Sequence, residues 1–146
     1  MEDKEHDRLN EFGDMEISEI MVYDPLYYTT PDEKISTTEL LMLRKKIGGL
    51  PVVNDVKSRQ LIGIITQRDI RLARFAISLE SPKTSVRNLM TKEPIVVRKT
   101  DTIKDALEKF FKNNIERLPV IDDNKTLIGL VLQNIILKKL LEHLKQ

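Results

Sequence analysis

The chain says the same thing twice, and that duplication constrains every other reading. Leu61 to Ile70, LIGIITQRDI, returns as Leu127 to Ile136, LIGLVLQNII, with the glycine and the glutamine in register. Upstream, Leu50-Pro51-Val52-Val53 matches Leu118-Pro119-Val120-Ile121, and Ile20-Met21 with Pro25 matches Leu89-Met90 with Pro94. The offset is 69 residues from Met21 to Met90, 68 from Leu50 to Leu118 and 66 from Gly63 to Gly129. Length drifts only between the anchors, as expected of loops. Two copies make a paired unit rather than a solenoid. Each copy, at about 60 residues, is marginal by itself, so the two are expected to pack together as one module.

Residue types narrow the chemistry. Cysteine is absent from the 146 residues, which removes disulfides, thiolate catalysis and cysteine zinc sites. His6 and His143 are the two histidines, too few for a histidine-built metal centre. No paired-carboxylate or nucleophile constellation marks a stand-alone enzyme. No run approaches the roughly 20 apolar residues of a membrane span, and the polar N-terminus is unlike a signal peptide. A soluble, cytoplasmic protein is the expectation. The net charge of +1 is unevenly spread: residues 1–14 carry six acids against Lys4 and Arg8, which leaves +5 on residues 15–146. Such an excess suits an anionic small molecule and lacks the basic stripe of a nucleic-acid binder.

Taken in order, residues 1–14 are predicted to be a disordered acidic tail, 15–80 the first repeat, 81–84 a linker and 85–146 the second repeat. Glu16 to Met21 reads as a helical turn that Asp24-Pro25 stops. Leu26 to Thr30 reads as a strand and Glu33 to Lys46 as a helix ended by Gly48-Gly49. Strands Leu50–Val53 and Leu61–Ile65, the second buried on both faces, form a hairpin. A helix follows from Thr66 to about Leu79, broken at Ser81-Pro82. The second copy is predicted as a turn at Ser85–Met90, a strand at Ile95–Arg98 and a helix at Thr102–Asn113. Strands Leu118–Ile121 and Leu127–Leu132 and a helix over Gln133–Lys145 complete it. Ile103, Ala106, Leu107, Phe110, Phe111 and Ile115 form one wide apolar face. The fold class is α/β, two pseudo-symmetric β-α-β-β-α repeats in which a helical crossover makes the first two strands parallel.

Thr66 and Asp69, three residues apart at a strand-to-helix junction, fit two roles. They form the [ST]-x-x-[DE] capping box. They are also a hydroxyl and a carboxylate at a helix N-terminus, where backbone N–H groups attract anions. Leu132 and Ile135 replace them in the second copy, so the fold does not require the box. Order and duplication of these motifs over residues 15 to 145 resemble a tandem cystathionine-β-synthase (CBS) domain pair, also called a Bateman module.

The resemblance implies two clefts between the repeats that bind adenosine-type ligands, AMP, ADP, ATP or S-adenosylmethionine, as regulatory ligands rather than cofactors. It implies a regulatory role toward another, unidentified protein. Carried over by position, Asp69 matches the ribose-binding carboxylate and Thr66 the hydroxyl near the phosphates. Arg68 lies at the edge and Ile64 flanks the adenine. From the other repeat come Thr100, Ala106 and Arg117, the last the residue before Leu-Pro. Gly48-Gly49 stand where many members carry a basic residue, which makes Arg117 the candidate phosphate partner. One live cleft and one degenerate cleft are expected. Leu40 and Leu41, off the stripe, either cover the neighbouring repeat or face a partner, and with the apolar run from Ile135 to Leu144 they point to a homodimer. Competing readings are a ligand-independent dimerisation or protein-interaction module and a nucleic-acid-associated module.

Overall fold

The computed structural model describes residues 2–76 and 84–146. In chain order they form α1 (Glu2–Gly13), a 3-10 turn (Ile17–Glu19), α2 (Ile35–Lys45), β1 (Gly49–Val53), β2 (Leu61–Thr66) and α3 (Gln67–Ala76). Then come α4 (Val86–Leu89), β3 (Thr91–Lys92), α5 (Ile103–Asn113), β4 (Arg117–Ile121), β5 (Leu127–Leu132) and α6 (Gln133–Leu144). The expected helix end near Leu79, the Ser81-Pro82 break and residues 81–83 of the linker lie outside the described residues. No helix among the described residues is long and apolar enough to cross a membrane.

The chain divides into two compact units that do not coincide with the two sequence repeats. Unit 1 holds residues 1–26, 95–123 and 128–146; unit 2 holds residues 27–94 and 124–127. The opening segment of each repeat therefore belongs to the unit built from the other repeat's helices and hairpin. In unit 2, β1 and β2 pair antiparallel, with Leu50 opposite Ile65 and Pro51 opposite Ile64. β3, from the start of the second repeat, then pairs antiparallel with β2, Gly63 opposite Lys92. Unit 1 mirrors this: β4 pairs with β5, and Val22, from the start of the first repeat, bridges to Leu130. The expected parallel strands are reduced to single parallel bridges, Thr29 to Val52 and Val97 to Val120.

The exchanged segments explain the repeated methionine and glycine. A Cβ on Gly63 would lie 2.9 Å from both the Met90 sulfur and the Thr91 carbonyl oxygen, and one on Gly129 2.7 Å from the Met21 sulfur. Each methionine thus packs on bare strand backbone, a close approach that only glycine permits. The repeated glutamines also have matched roles. Gln67 Nε2 donates to the Ile47 carbonyl at 3.4 Å and Gln133 Nε2 to that of Ile115 at 3.3 Å. Each ties the start of its helix to the turn that follows the preceding helix.

Several expectations are corrected. Residues 2–13 are not a disordered tail but α1, because the tail carries anchors outside a regular stripe: Phe12 is buried in the core of unit 1 with Ile17 and Ile103. Arg8 Nη2 donates to the carbonyls of His143, at 2.9 Å, and of Gln146, while His143 Nε2 donates to the Arg8 carbonyl at 2.7 Å. Gly48-Gly49 do not end α2. The left-handed residue there is Lys46 (φ 55°), matched by Asn114 (φ 52°) after α5, and no glycine has positive φ. The Ile47 N–H reaches back to the Met42 carbonyl at 3.0 Å, and that of Ile115 to Phe110 at 3.1 Å. These are Schellman-type endings that free both glycines for the approach to β1. Strand β2 is not buried on both faces: Gly63 and Ile65 are buried, while Leu61, Ile62 and Ile64 are half-covered.

The two cores are separate clusters of equivalent residues. Unit 1 packs Ile103, Ala106, Phe110, Leu118, Val120, Val131 and Ile136. Unit 2 packs Ile35, Met42, Leu50, Val52, Ile65, Ile70 and Val86. Phe111, expected on the buried face of α5, is 79% exposed. The core covers the 103–106–110 stripe fully and Leu107 in part, and leaves Phe111 outside.

Candidate ligand-binding site

Strand β2 delivers the chain to α3 without a loop, so the residues at the junction are fixed by two regular elements at once. The Gln67 N–H donates to the Gly48 carbonyl at 2.9 Å, anchoring the first turn of α3 to the start of β1. At this junction Thr66 and Asp69 are half-buried and Arg68 is exposed. The capping box is formed in both directions. The Thr66 N–H donates to Asp69 Oδ2 at 2.9 Å, and the Asp69 N–H donates to Thr66 Oγ1 at 3.1 Å.

The box leaves functional capacity on both side chains. A carboxylate has about four lone-pair positions, and one cap bond occupies one of them. Asp69 Oδ1 is unengaged among the hydrogen bonds described and the second lone pair of Oδ2 remains, enough to accept two vicinal hydroxyls. Thr66 Oγ1 accepts from the backbone, so its own O–H proton is available to donate. The cap thus holds both side chains in one geometry without using up their hydrogen-bonding capacity. Ile64, half-buried two residues upstream, sits opposite Thr91 of β3 and Pro51 of β1. It offers an apolar surface beside the two polar groups.

The equivalent junction in unit 1 has none of this chemistry. Leu132 stands at the N-cap of α6 without a side-chain cap bond, and Ile135 is half-buried. α6 forms nonetheless, so the box at α3 is dispensable for making the helix.

The remaining positions carried over from the resemblance all lie in unit 1, apart from Ile64, Thr66, Arg68 and Asp69 in unit 2. Thr100 is exposed. Arg117, at the start of β4, has a side chain only 17% exposed and lies 3.7 Å from Glu116 Oε2, which makes it a held arginine and not a solvated one. Ala106 is corrected: it is 0% exposed, packed in the core with Ile103 and Phe110, and has no surface to give a ligand. The alanine serves the packing of α5, where its helical period places it. No group of three or more His, Asp or Glu side chains among the described residues is arranged to hold a metal ion.

Comparison with known proteins bears on this geometry. A family model described as the CBS domain matches the chain twice, over residues 17–75 and 86–142. The inosine-5'-monophosphate dehydrogenase of Bacillus subtilis (strain 168) is 41% identical over 106 residues, 72% of this chain and 20% of that enzyme. The corresponding enzyme of Methanocaldococcus jannaschii is 32% identical over 121 residues, 83% of this chain and 23% of that one. The chain spans about a fifth of the length of these curated relatives. Among solved structures, CBSX2 of Arabidopsis thaliana in complex with AMP is similar with a TM-score of 0.79 and 28% identity, over 90% of this chain and 98% of that one. The CBS domain pair of protein MJ0100, solved with 5'-methylthioadenosine and S-adenosyl-L-methionine, shares the fold with a TM-score of 0.75 and 24% identity, over 88% and 97% of the two chains.

Proposed function

The chain belongs to the CBS domain family as two domains in tandem, and from that premise we propose that it is a regulatory module that senses an adenosine nucleotide, AMP or a close relative. The single observation that carries this reading is the Thr66–Asp69 junction, a carboxylate with free acceptor positions beside a free hydroxyl proton at the start of a ten-residue helix. The carboxylate accepts the two ribose hydroxyls, a recognition that phosphate or a bare base cannot satisfy. The hydroxyl and the first-turn N–H groups of α3 face negative charge. Ile64 provides the apolar contact for the adenine, and Arg68 adds positive charge at the rim. The similarity to CBSX2, crystallised with AMP, supports the choice of ligand class.

On this reading the chain regulates and does not catalyse, and the reaction of the longer dehydrogenases is not its own. One nucleotide binds per chain, because Leu132 and Ile135 carry neither the hydroxyl nor the carboxylate. The module acts as a homodimer: Leu137, Leu141 and Leu144 line one face of α6 and are 64%, 53% and 62% exposed, a stripe that a second copy would cover. Light scattering at micromolar concentration is expected to report two chains; a monomer removes the dimer from the proposal.

The test of the ligand reading is a thermal-shift and calorimetry series. A ligand that binds only the folded state adds about 2.7 kcal/mol at one hundred times its dissociation constant, so AMP is expected to raise Tm visibly. Asp69→Ala removes charge-assisted bonds worth about 1.5–3 kcal/mol each, a loss of ten-fold or more in affinity. Ile135→Ala leaves affinity unchanged. If millimolar AMP, ADP, ATP and S-adenosylmethionine all leave the melting curve unmoved, or folded Asp69→Ala binds at wild-type strength, the assignment fails. Protein capture without any nucleotide effect would favour the interaction-module reading instead.

A further inference from the structure

A groove of about 360 Å³ opens along the flank of α2 in unit 2. None of Ile64, Thr66, Arg68 and Asp69 lines it, so it is separate from the nucleotide junction. Tyr28, Leu40, Leu41 and Val56 give it apolar walls, and Leu40 and Val56 are 46% and 68% exposed. Part of the polar lining is engaged within the protein. Thr29 and Thr38 bond each other at 3.1 Å, and Glu33 Oε1 accepts the N–H of the next residue, Lys34, at 3.0 Å. Arg44, exposed on the same flank, makes no ion pair or hydrogen bond among the described residues. The result is a slot with apolar walls and one cation that has no partner among the described residues.

The second copy shows that the fold does not need such a slot. Lys109 stands where α2 has Leu41, and its Nζ donates to the Val96 carbonyl at 2.7 Å. Arg98 stands where Thr30 lines the groove, and pairs with Asp123 at 2.8 Å. Glu108 replaces Leu40. On the flank of α5 Lys109 thus reaches a backbone carbonyl and Arg98 an aspartate, whereas the flank of α2 keeps an apolar surface in water.

We propose that this groove is a second ligand site, for a small amphiphilic anion: an apolar body lying on Tyr28, Leu41 and Val56, with one carboxylate on the Arg44 guanidinium. The volume falls near the lower end of the range for small-molecule pockets, about 300–1,000 Å³. Apolar walls supply the area, and the planar guanidinium supplies the direction, since it pairs a carboxylate through two parallel N–H bonds.

The test is an amide NMR titration of the full chain with octanoate and phenylacetate, each against its neutral counterpart, octan-1-ol and phenylacetamide. Saturable shifts are expected at Thr37, Leu41 and Arg44 with the carboxylates, and binding about ten-fold weaker or more with the neutral compounds. Arg44→Gln is expected to bring the carboxylates down to the neutral level. Leu41→Lys installs the second copy's own closure and is expected to abolish binding while leaving any AMP response intact. No saturable shift with either carboxylate up to about 10 mM, equal binding of the neutral compounds, or undiminished binding by folded Leu41→Lys would overturn the proposal. None of these readouts depends on whether AMP binds at Asp69.

Discussion

The first and second repeats share what makes the fold and differ in what meets solvent or ligand. Both place a methionine on a strand glycine, both end their first helix in a left-handed residue, and both tie the second helix back with a glutamine. Glu16 with Glu19 and Ser85 with Asn88 form matched boxes at the opening turns, but at the helices of ten residues or more the boxes sit at different starts. In the first repeat the box is at α3 and α2 begins at Lys34 with no side-chain cap; in the second it is at α5, and α6 begins uncapped at Leu132. A helix packed on a sheet gains most of its stability from its buried face, so a cap is optional at any one of the four starts. On the proposed function the box at α3 also presents groups to a ligand; at α5 it serves the helix.

The largest effect that would break this comparison concerns neighbouring residues. Phe110 and Met42 are matched core anchors, 1% and 0% exposed, and the residues that follow them, Phe111 and Leu43, are 79% and 63% exposed. Phe110→Ala is expected to cost about 3–5 kcal/mol and Phe111→Ala within about 0.5 kcal/mol, measured by urea unfolding. Similar losses for the two would restore the wide apolar face and remove the narrow stripe described above.

The two glycines give a sharper contrast at smaller amplitude. A methyl group on Gly63 meets the Thr91 carbonyl oxygen, which is backbone and paired into β3; on Gly129 the three nearest atoms all belong to the flexible Met21 side chain. Gly63→Ala is expected to cost about 1–3 kcal/mol, and Gly129→Ala less, since a thioether swings aside easily. Combining Gly129→Ala with Met21→Ala should recover part of the loss, whereas Met90→Ala should not rescue Gly63→Ala. Equal costs for the two glycines would mean that the exchanged segments yield as readily as side chains.

Much of this was legible from the duplication alone. The order of α2, α3, α5 and α6, the two hairpins and the Thr66–Asp69 junction follow from periodicity, turn chemistry and the agreement of two copies. The exchange of opening segments was not, because a repeat aligns residues along the chain and is silent on which sheet edge they join. Met21 aligns with Met90, yet each packs on the glycine of the other copy. α1 escaped because its hold rests on Phe12 and on polar contacts from Arg8 to the last residues, none of which has a helical period. Ala106 was misplaced because a position in a family motif and a position in a core look the same in sequence; burial alone separates them. The groove along α2 was visible only as Leu40 and Leu41 standing off the stripe, since a concavity needs Tyr28 and Val56 brought beside them.

The smallest predicted effect tests whether the α5 box is a structural cap and nothing more. The Thr102 N–H donates to Asp105 Oδ2 at 2.9 Å, and the Asp105 N–H donates to Thr102 Oγ1 at 3.2 Å. The bond from the Thr102 backbone, with a lesser one from its side chain, holds the Asp105 carboxyl below its ordinary range. A carboxylate whose folded-state pKa is depressed stabilises the fold above its unfolded value, near 3.9, and that contribution is lost as pH falls through the folded value. Asp105 is exposed, so the gain is screened, and a first-turn carboxylate at a helix surface contributes about 0.3–1 kcal/mol. Asp105→Asn should therefore be less stable than the native chain at pH 7 by about that amount, and the gap should close below about pH 4. Thr102→Ala, which loses the reciprocal bond, should cost about 1 kcal/mol at pH 7 and leave nucleotide affinity at Asp69 untouched. Unfolding curves at pH 7, 5 and 3 decide the matter: a gap that persists undiminished at pH 3 would mean that Asp105 acts through its shape and not its charge.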